Sequence, residues 1–168
     1  MEQKDAALPL SGVTVVDFSR LLPGPWATQM LGEFGADVIK VEQPGIGDPS
    51  KFNAPNYRKN SVYYNAVNAD KRSIAIDMTS ADGKAVAERL LRRADVVMES
   101  FRPGVAAKLG VDYDTVSAYN ARVIYCAISG FGQTGPLSKV AGHDFVIQAL
   151  SGVLGIGLDQ GGEAGNPG

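Results

Sequence analysis

The sequence predicts an α/β protein with a doubly wound, Rossmann-like, mostly parallel sheet and helices on both of its faces. Apolar runs rich in β-branched residues alternate with amphipathic stretches, at the spacing of strand, helix and strand. Loops rich in Gly, Pro and Asn separate these runs, and no internal repeat interrupts them. A chain of 168 residues can bury a full core. We therefore expect parallel strands joined by right-handed crossovers.

The first predicted unit is a strand, a helix and a second strand. GVTVVDFS (12–19) is a buried strand, and Pro25 suits the first turn of the helix that follows. Gly35 ends this helix, and ADVIKVE (36–42) is the second strand. The apolar residues recur at helical spacing, so they predict the inner face of the helix: Ala27, Met30, Leu31 and Phe34.

The rest of the chain continues the alternation. Ser80 can cap a helix whose predicted inner face is Gly83, Val86, Ala87, Leu90, Leu91 and Ala94. The other predicted elements are a long loop at 43–60, a short element at 62–67, strands at 72–78, 94–99 and 121–129, and a short helix at 113–120. Because ligands bind at the carboxyl ends of such strands, the loops that follow them are the places to look for function.

Composition excludes several classes of function. The net charge of −2 gives no reason to expect a nucleic-acid partner or a membrane surface. No apolar run approaches the ~18 residues of a membrane span, and the start lacks the pattern of a secretory signal. The single Cys126 excludes an internal disulfide and a cysteine metal cluster. We expect a cytoplasmic protein without a metal site.

One loop matches a nucleotide-binding fingerprint only superficially. GFGQTG (130–135) has the spacing G-x-G-x-x-G and follows a predicted strand. The fingerprint requires a helix to start directly behind it, with its N-terminus on the pyrophosphate. Pro136 and Gly142 oppose such a helix, so we expect none to start directly behind this loop. We interpret 130–135 as a glycine loop that allows a close approach of backbone.

Two basic loops are better candidates for binding an anion. Lys71 and Arg72 precede a predicted strand, and Arg102 follows one. An arginine at the carboxyl end of a strand can pair with phosphate through two hydrogen bonds. Lys108 lies one or two helical turns further on and could face the same way. The alternative for each is a solvated charge or a surface ion pair.

The segment AGHD (141–144) holds the only histidine. A histidine at a helix start lies at the positive end of the backbone dipole, which favours the neutral imidazole that a general base requires. Asp144 in the first turn is stabilised by the same field. The alternative is that His143 and Asp144 only begin a helix. No nucleophile motif of the type G-x-S-x-G accompanies them.

Several stretches together resemble the family III coenzyme A transferases, which include formyl-CoA transferase, carnitine CoA-transferases and α-methylacyl-CoA racemase. They occur in the order and spacing of that family and cover nearly all of the chain: LSGVTVVDFSRLLPGPWATQMLGEFGADVIKVEQPGIGD, NADKRSIAIDM, ADVVMESFRPGVAAKLGVDYDTV, NARVIYCAISGFGQTGP and AGHDFVIQALSG. These stretches resemble the amino-terminal part of the large domain of that family. Residues 1–168 would therefore lack the carboxyl half and the small domain.

The resemblance implies a CoA thioester and a carboxylic acid as substrates, no prosthetic group, and a homodimer of interlocked rings. His143 and Asp144 would be accessory catalytic residues. Gln43 stands where many relatives carry an arginine. The residues that resemble CoA-contacting positions are Leu22, Pro23, Gln43, Ile76, Asp77, Met78, Thr79, Ser100, Phe101, Arg102, Lys108, Ala141 and Gly142.

The resemblance also implies a mechanism. Transferases of this family use an aspartate that attacks the thioester and forms mixed-anhydride and aspartyl-CoA intermediates. By the family's spacing this aspartate would fall just past Gly168, and Asp159 comes too early and lacks its Ala-Asp motif. We therefore expect the 168 residues alone to be inactive.

Three functions stay open. The loop at 43–60 and DFVIQALSGV favour a CoA-transferase, whereas GHD (142–144) resembles the racemases, in which the histidine would be an acid/base. The third is a non-catalytic module that binds CoA or only a partner chain.

Overall fold

The computed structural model describes residues 7–156, which belong to two compact units divided after Ile128. The first unit contains a five-stranded, fully parallel sheet in the order β5-β2-β1-β6-β7. Its strands are β1 (Thr14–Asp17), β2 (Asp37–Glu42), β5 (Arg72–Ala75), β6 (Val96–Glu99) and β7 (Ile124–Ala127). A small antiparallel hairpin pairs β3 (Asn56–Tyr57) with β4 (Asn60–Ser61).

Helices connect the strands of this unit. They are α1 (Pro23–Glu33), α2 (Val62–Ala66), α3 (Ala81–Leu91), α4 (Val105–Leu109) and α5 (Tyr113–Ser117). The path from β1 through α1 leads to β2 on one side of β1, and the path from β5 through α3 leads to β6 on its other side. Right-handed crossovers then require α1 on one face and α3 to α5 on the other. This is the doubly wound α/β fold that the sequence predicts.

The main core lies between the sheet and the second group of helices. Val16 and Val97 from neighbouring strands are fully buried there with Leu91 of α3 and Val116 of α5. Together with the other members of this cluster they remove a continuous apolar surface from water, which is the main stabilising term of such a fold. The β-branched runs of the three central strands, β1, β2 and β6, are therefore mostly buried. The edge strands β5 and β7 are more exposed.

Helix α3 begins and packs as its sequence predicts. Ser80 is the N-cap, and its Oγ accepts a hydrogen bond of 2.9 Å from the N–H of Gly83. Gly83, Ala87 and Leu91 are buried at the predicted spacing of one helix face. Ala94 is also buried, although the helix itself ends at Leu91.

The predicted inner face of α1 is wrong at two positions. Met30 is 47% exposed and Phe34 is 52% exposed, and with Trp26 they form an apolar stripe on the outer side. The buried residues of α1 are instead Gly24, Pro25 and Thr28. Thr28 faces the sheet because its Oγ1 donates a hydrogen bond of 2.6 Å to Oδ2 of the buried Asp17. A polar contact, and not the apolar spacing, decides the rotation of this helix.

The segment predicted as one long loop, 43–60, has structure of its own. It contains a 3₁₀ turn, Pro49–Phe52, and the hairpin of β3 and β4. Asp48 caps the 3₁₀ turn through a hydrogen bond from the N–H of Ser50. Helix α4, of five residues between Gly104 and Gly110, is not among the predicted elements.

The second unit is described by itself through residue 156. It contains the short helices α6 (Asp144–Leu150) and α7 (Val153–Ile156). No helix starts directly behind GFGQTG, as predicted, since the next one begins at Asp144. A Cβ on Gly130 would lie 2.7 Å from the Cα of Gly142. The first glycine of the fingerprint thus permits the close approach of two backbone segments.

Candidate functional site

The sheet of the first unit has one topological switch point, between β1 and β6. These strands are parallel neighbours, and Val15 pairs with Val96. After β1 the chain turns towards α1, whereas after β6 it turns towards α4 on the opposite face. A crevice opens where such connections diverge, and this is where ligands bind in open α/β sheets. The loops at 18–22 and 100–104 border it.

Contacts between side chain and backbone join the two sides of this crevice. The backbone N–H of Arg20 donates a hydrogen bond of 2.9 Å to Oγ of Ser100. The guanidinium of Arg20 lies over the ring of Phe101, 5.5 Å from its centroid. Leu22, Pro23 and Arg102 are exposed beside them. The structure thus brings the loop after β1 into contact with the loop after β6, and it adds Arg20, which was not among the predicted site residues.

The predicted residues after β5 have two kinds of environment. Ile76 is buried in the core and its N–H bonds to the carbonyl of Glu42 at 2.9 Å. Asp77 is exposed and accepts hydrogen bonds from the N–H and hydroxyl of Thr79, which hold its pKa below the ordinary value. Met78 packs partly against the core. A ligand at this loop could therefore meet Asp77 and Thr79 directly.

Lys108 is exposed on α4, one turn beyond the loop that carries Arg102. Its carbonyl accepts a hydrogen bond of 3.2 Å from Nζ of Lys84. A second ammonium group therefore lies near Lys108, which increases the positive charge available to an anionic ligand.

Gln43 borders a cavity of about 710 Å³ at the carboxyl ends of β2 and β5. Amide, lysine and aromatic side chains dominate its wall. The lining residues are Glu42, Gln43, Gly45, Ile46, Gly47, Lys51, Phe52, Asn56, Lys59, Asn60, Ser61, Tyr64, Asn65 and Ala75. A cavity of this size and polarity suits a small polar ligand.

Glu42 organises the wall of this cavity. Its carboxylate accepts hydrogen bonds from Nζ of Lys51 and Oγ of Ser73, both at 2.8 Å, and from the hydroxyl of Tyr64 at 3.2 Å. Burial alone would raise the pKa of Glu42, but these hydrogen bonds and the charge of Lys51 outweigh it and lower the pKa. Burial of Tyr64 and the neighbouring charge of Glu42 raise the pKa of the Tyr64 hydroxyl. Glu42 therefore remains an anion that fixes Lys51 and Tyr64.

A second buried network lies at the end of β1. The carboxylate of Asp17, which is fully buried, accepts hydrogen bonds from Ser19, Thr28 and Lys71. Burial lowers the pKa of Lys71 to about 8, although the charge of Asp17 opposes this shift. Lys71 and Arg72 were candidates for an anionic ligand. The structure places both in ion pairs instead, Lys71 with Asp17 and the exposed Arg72 with Asp37.

Glu99 is a buried carboxyl group at the end of β6. Burial raises its pKa, although a hydrogen bond of 2.6 Å from the N–H of Phe101 acts in the opposite direction. Glu99 thereby fixes the backbone of the loop that carries Phe101 and Arg102.

In the second unit, His143 is the N-cap of α6 and its side chain makes no capping hydrogen bond. Asp144 lies in the first turn, and its Oδ2 accepts a hydrogen bond of 2.6 Å from Nε2 of Gln148. Ala141 and Gly142 precede them in the same unit, and Gly142, His143 and Asp144 are exposed within it. The prediction that a helix starts at AGHD is confirmed.

Residues 7–156 contain no cluster of His, Cys, Asp and Glu that could hold a metal ion. In the same part of the chain, no helix has both the length and the apolar character needed to cross a bilayer.

The sheet order and its helices define a doubly wound, Rossmann-like α/β protein, with arginines in the loops at its switch point. The model of "CoA-transferase family III" matches residues 10–168, and the chain belongs to this family. The chain is 43% identical over 155 residues to the succinate–glutarate CoA-transferase of Agrobacterium fabrum, covering 88% of this chain and 39% of that protein. It is 40% identical over 146 residues to the acetyl-CoA:oxalate CoA-transferase of Acetobacter aceti, covering 87% of this chain and 38% of that protein.

The structural comparison agrees. A CAIB/BAIF family protein from Brucella suis matches with a TM-score of 0.84 and 42% identity, over 89% of this chain and 40% of that one. The chain thus spans about two fifths of the length of these relatives. Its sheet is part of the domain found in CaiB/BaiF proteins.

Proposed function

We propose that this chain is the amino-terminal part of an enzyme that transfers CoA from an acyl-CoA thioester to a carboxylic acid through an aspartyl intermediate. The observation that carries the proposal is the contact between the two loops at the switch point, where the N–H of Arg20 bonds to Ser100 and its guanidinium lies over Phe101, the residue before Arg102. Arginines at strand ends suit the phosphates of CoA, and a crevice between diverging loops suits its elongated form. Membership of the family supports the reaction class.

The acid substrates we propose are short dicarboxylic acids. The names of two relatives specify succinate and glutarate in one case and oxalate in the other. The polar cavity beside Gln43, with Lys51 and Lys59 in its wall, supports an anionic substrate. By the spacing that the resemblance implies, the aspartate nucleophile would fall beyond Gly168, and we propose that the 168 residues alone catalyse no transfer.

We also propose, from the resemblance, a homodimer located in the cytoplasm. Association is supported by the apolar stripe of Trp26, Met30 and Phe34, which is exposed on α1. The single Cys126, a free thiol, supports a reducing compartment.

The test of the function is an assay of the protein that includes the proposed nucleophile. We expect succinyl-CoA to yield a new CoA thioester when oxalate or glutarate is added, detected by chromatography of the products. If the protein binds CoA but transfers it to none of a panel of mono- and dicarboxylic acids, the result would favour the non-catalytic module. Failure to bind CoA at all would overturn the proposal.

Arg102→Ala is expected to raise the KM for the acyl-CoA about tenfold or more. A lost hydrogen bond to a charged group costs roughly 1.5–3 kcal/mol, and about 1.4 kcal/mol corresponds to a factor of ten. The matched control is Arg122→Ala, an exposed arginine just before the amino end of β7. An unchanged KM for Arg102→Ala, at wild-type stability, would show that Arg102 does not contact CoA.

The second candidate function is racemisation of a 2-methylacyl-CoA, and the observation that favours it is the position of His143. Its imidazole is exposed and not used as a helix cap, so it is available as an acid or base. In a racemase, His143→Ala should reduce exchange of the α-proton by about 10²–10⁴-fold, as expected for general acid–base catalysis.

In the transferase that we prefer, the same substitution should lower CoA transfer only modestly. His143→Asn is the matched control, because asparagine is a good N-cap residue without acid–base function at neutral pH. Exchange of α-deuterium for solvent protons and transfer of CoA are measured on the same samples. Complete loss of transfer in both variants, with CoA still bound, would contradict the preference.

A further inference from the structure

A buried ion pair at the carboxyl end of β2 contacts the loop that borders the switch point. Nζ of Lys40 lies 2.9 Å from Oδ2 of Asp48, and the two side chains are only 2% and 1% exposed. Burying two charges is costly, and replacing such a pair with apolar residues is often neutral or stabilising. Stability alone is therefore a poor reason for this pair, and its other contacts indicate its role.

Those contacts join two loops that are distant in sequence. Nζ of Lys40 donates a hydrogen bond of 3.0 Å to the carbonyl of Ser19. The carboxylate of Asp48 accepts the N–H of Leu21 at 3.3 Å, and it also accepts the N–H and hydroxyl of Ser50. The pair thus fixes the backbone on both sides of Arg20 against the segment that follows β2.

The backbone held by this pair is strained. Leu21 has a φ of 64°, a left-handed conformation that is uncommon for a residue with a branched side chain. Such a conformation persists only where surrounding contacts enforce it, and these residues concentrate at ligand-binding positions. The N–H of Leu21 is the group that Asp48 binds. The left-handed conformation of Leu21 and its contact with the ion pair therefore both indicate that the surrounding residues hold this loop in a single conformation.

The charge of Asp48 is secured over the ordinary pH range. Burial would raise its pKa, but the Lys40 ammonium and the hydrogen bonds from Ser50 and Lys40 outweigh this and hold the pKa below its usual value. Asp48 remains an acceptor for the N–H of Leu21.

We propose that Lys40 and Asp48 are positioning residues that hold the loop 18–22 in the conformation that binds the acyl-CoA. They act through the backbone of Ser19 and Leu21, which places Leu22 and Pro23 at the edge of the crevice. This inference rests on the proposed function, because it takes the acyl-CoA as the ligand of that edge. It adds two buried residues that are not among the site residues predicted from the sequence.

The test uses two variants of the enzyme with succinyl-CoA as donor. Asp48→Asn removes the charge and one acceptor, and we expect the KM for succinyl-CoA to rise about tenfold while kcat changes much less. Lys40→Met/Asp48→Leu removes the pair without leaving a buried charge, so it should lose less stability than Asp48→Asn. The remaining loss comes from the donors of Leu21 and Ser50, which no longer have an acceptor. If the pair positions the loop, the double variant still shows the raised KM. A wild-type KM in the double variant would overturn the inference, since the pair would then be only structural.

Hydrogen exchange gives a second measurement that does not depend on activity. In Asp48→Asn we expect faster amide hydrogen exchange, confined to peptides that cover residues 18–22. The control is Glu88→Gln, which breaks the exposed ion pair with Arg92 and should exchange like the wild type. Unchanged exchange at 18–22, or an equal increase throughout the sheet, would contradict positioning even if the double variant did not fold. A wild-type enzyme that transfers no CoA would instead disprove the proposed function and leave the exchange result to be judged separately.

Discussion

Asp17→Ala is expected to destabilise the protein by about 3–5 kcal/mol, because it leaves a buried ammonium group without its partner. Nζ of Lys71 lies 3.2 Å from Oδ2 of Asp17, and the two side chains are 3% and 0% exposed. Ser19 and Thr28 lose their acceptor in the same substitution. Since domains are stable by only about 5–15 kcal/mol, this loss is a large part of the total.

Urea unfolding followed by circular dichroism measures this effect, and two further variants identify its cause. Asp37→Ala is the matched control, because Asp37 also pairs with a basic residue, Arg72, but in solvent. An exposed pair contributes about 0–1 kcal/mol, so this variant should stay close to the wild type. Asp17→Ala/Lys71→Met should recover part of the loss, because no unpaired charge remains. Equal losses in Asp17→Ala and Asp37→Ala would contradict the account.

The strands and most helices could be predicted because local sequence determines them. Ser80 and Gly83 lie three residues apart, so the cap of α3 is visible in a short stretch of sequence. The loops after the strands are the predicted site because parallel strands of one sheet end at one edge, and this placement stays a prediction. Arg20 was missed, although it directly follows a predicted strand in the way that Arg102 does.

The rotation of α1 and the role of Lys71 depend on contacts between residues that are far apart in the chain. The rotation of α1 is decided by Thr28 and Asp17, and Lys71, which holds the same carboxylate, is 54 residues from Asp17. Apolar spacing in α1 therefore predicted burial of Met30 and Phe34, which are exposed. Lys71 resembled a ligand-binding cation for the same reason, since its partner cannot be identified from neighbouring residues. Buried polar contacts of this kind override amphipathic patterns.

Gly83→Ala is expected to destabilise the protein by about 3 kcal/mol or more, at the upper end of the range for overpacking. A Cβ at Gly83 would lie 1.9 Å from the carbonyl oxygen of Asp77 and 2.7 Å from its carbonyl carbon. These are backbone atoms, which cannot turn aside as the end of a side chain can. Helix α3 would have to move away from the turn that carries Asp77 and Thr79, so binding of CoA should weaken as well.

Gly32→Ala is the matched control, because Gly32 also lies within a helix, α1, but has room for a methyl group. A Cβ there would meet only Cγ2 of Val38, at an ordinary contact distance of 3.5 Å. Replacing a helical glycine by alanine without a clash stabilises a protein by roughly 0.5–1 kcal/mol. The two substitutions add the same methyl group, and only the space around it differs. The unfolding midpoint in urea should therefore fall for Gly83→Ala and rise for Gly32→Ala. A rise for both would mean that α3 and the turn at Asp77 are not in contact, and the close packing of the loop after β5 would be wrong.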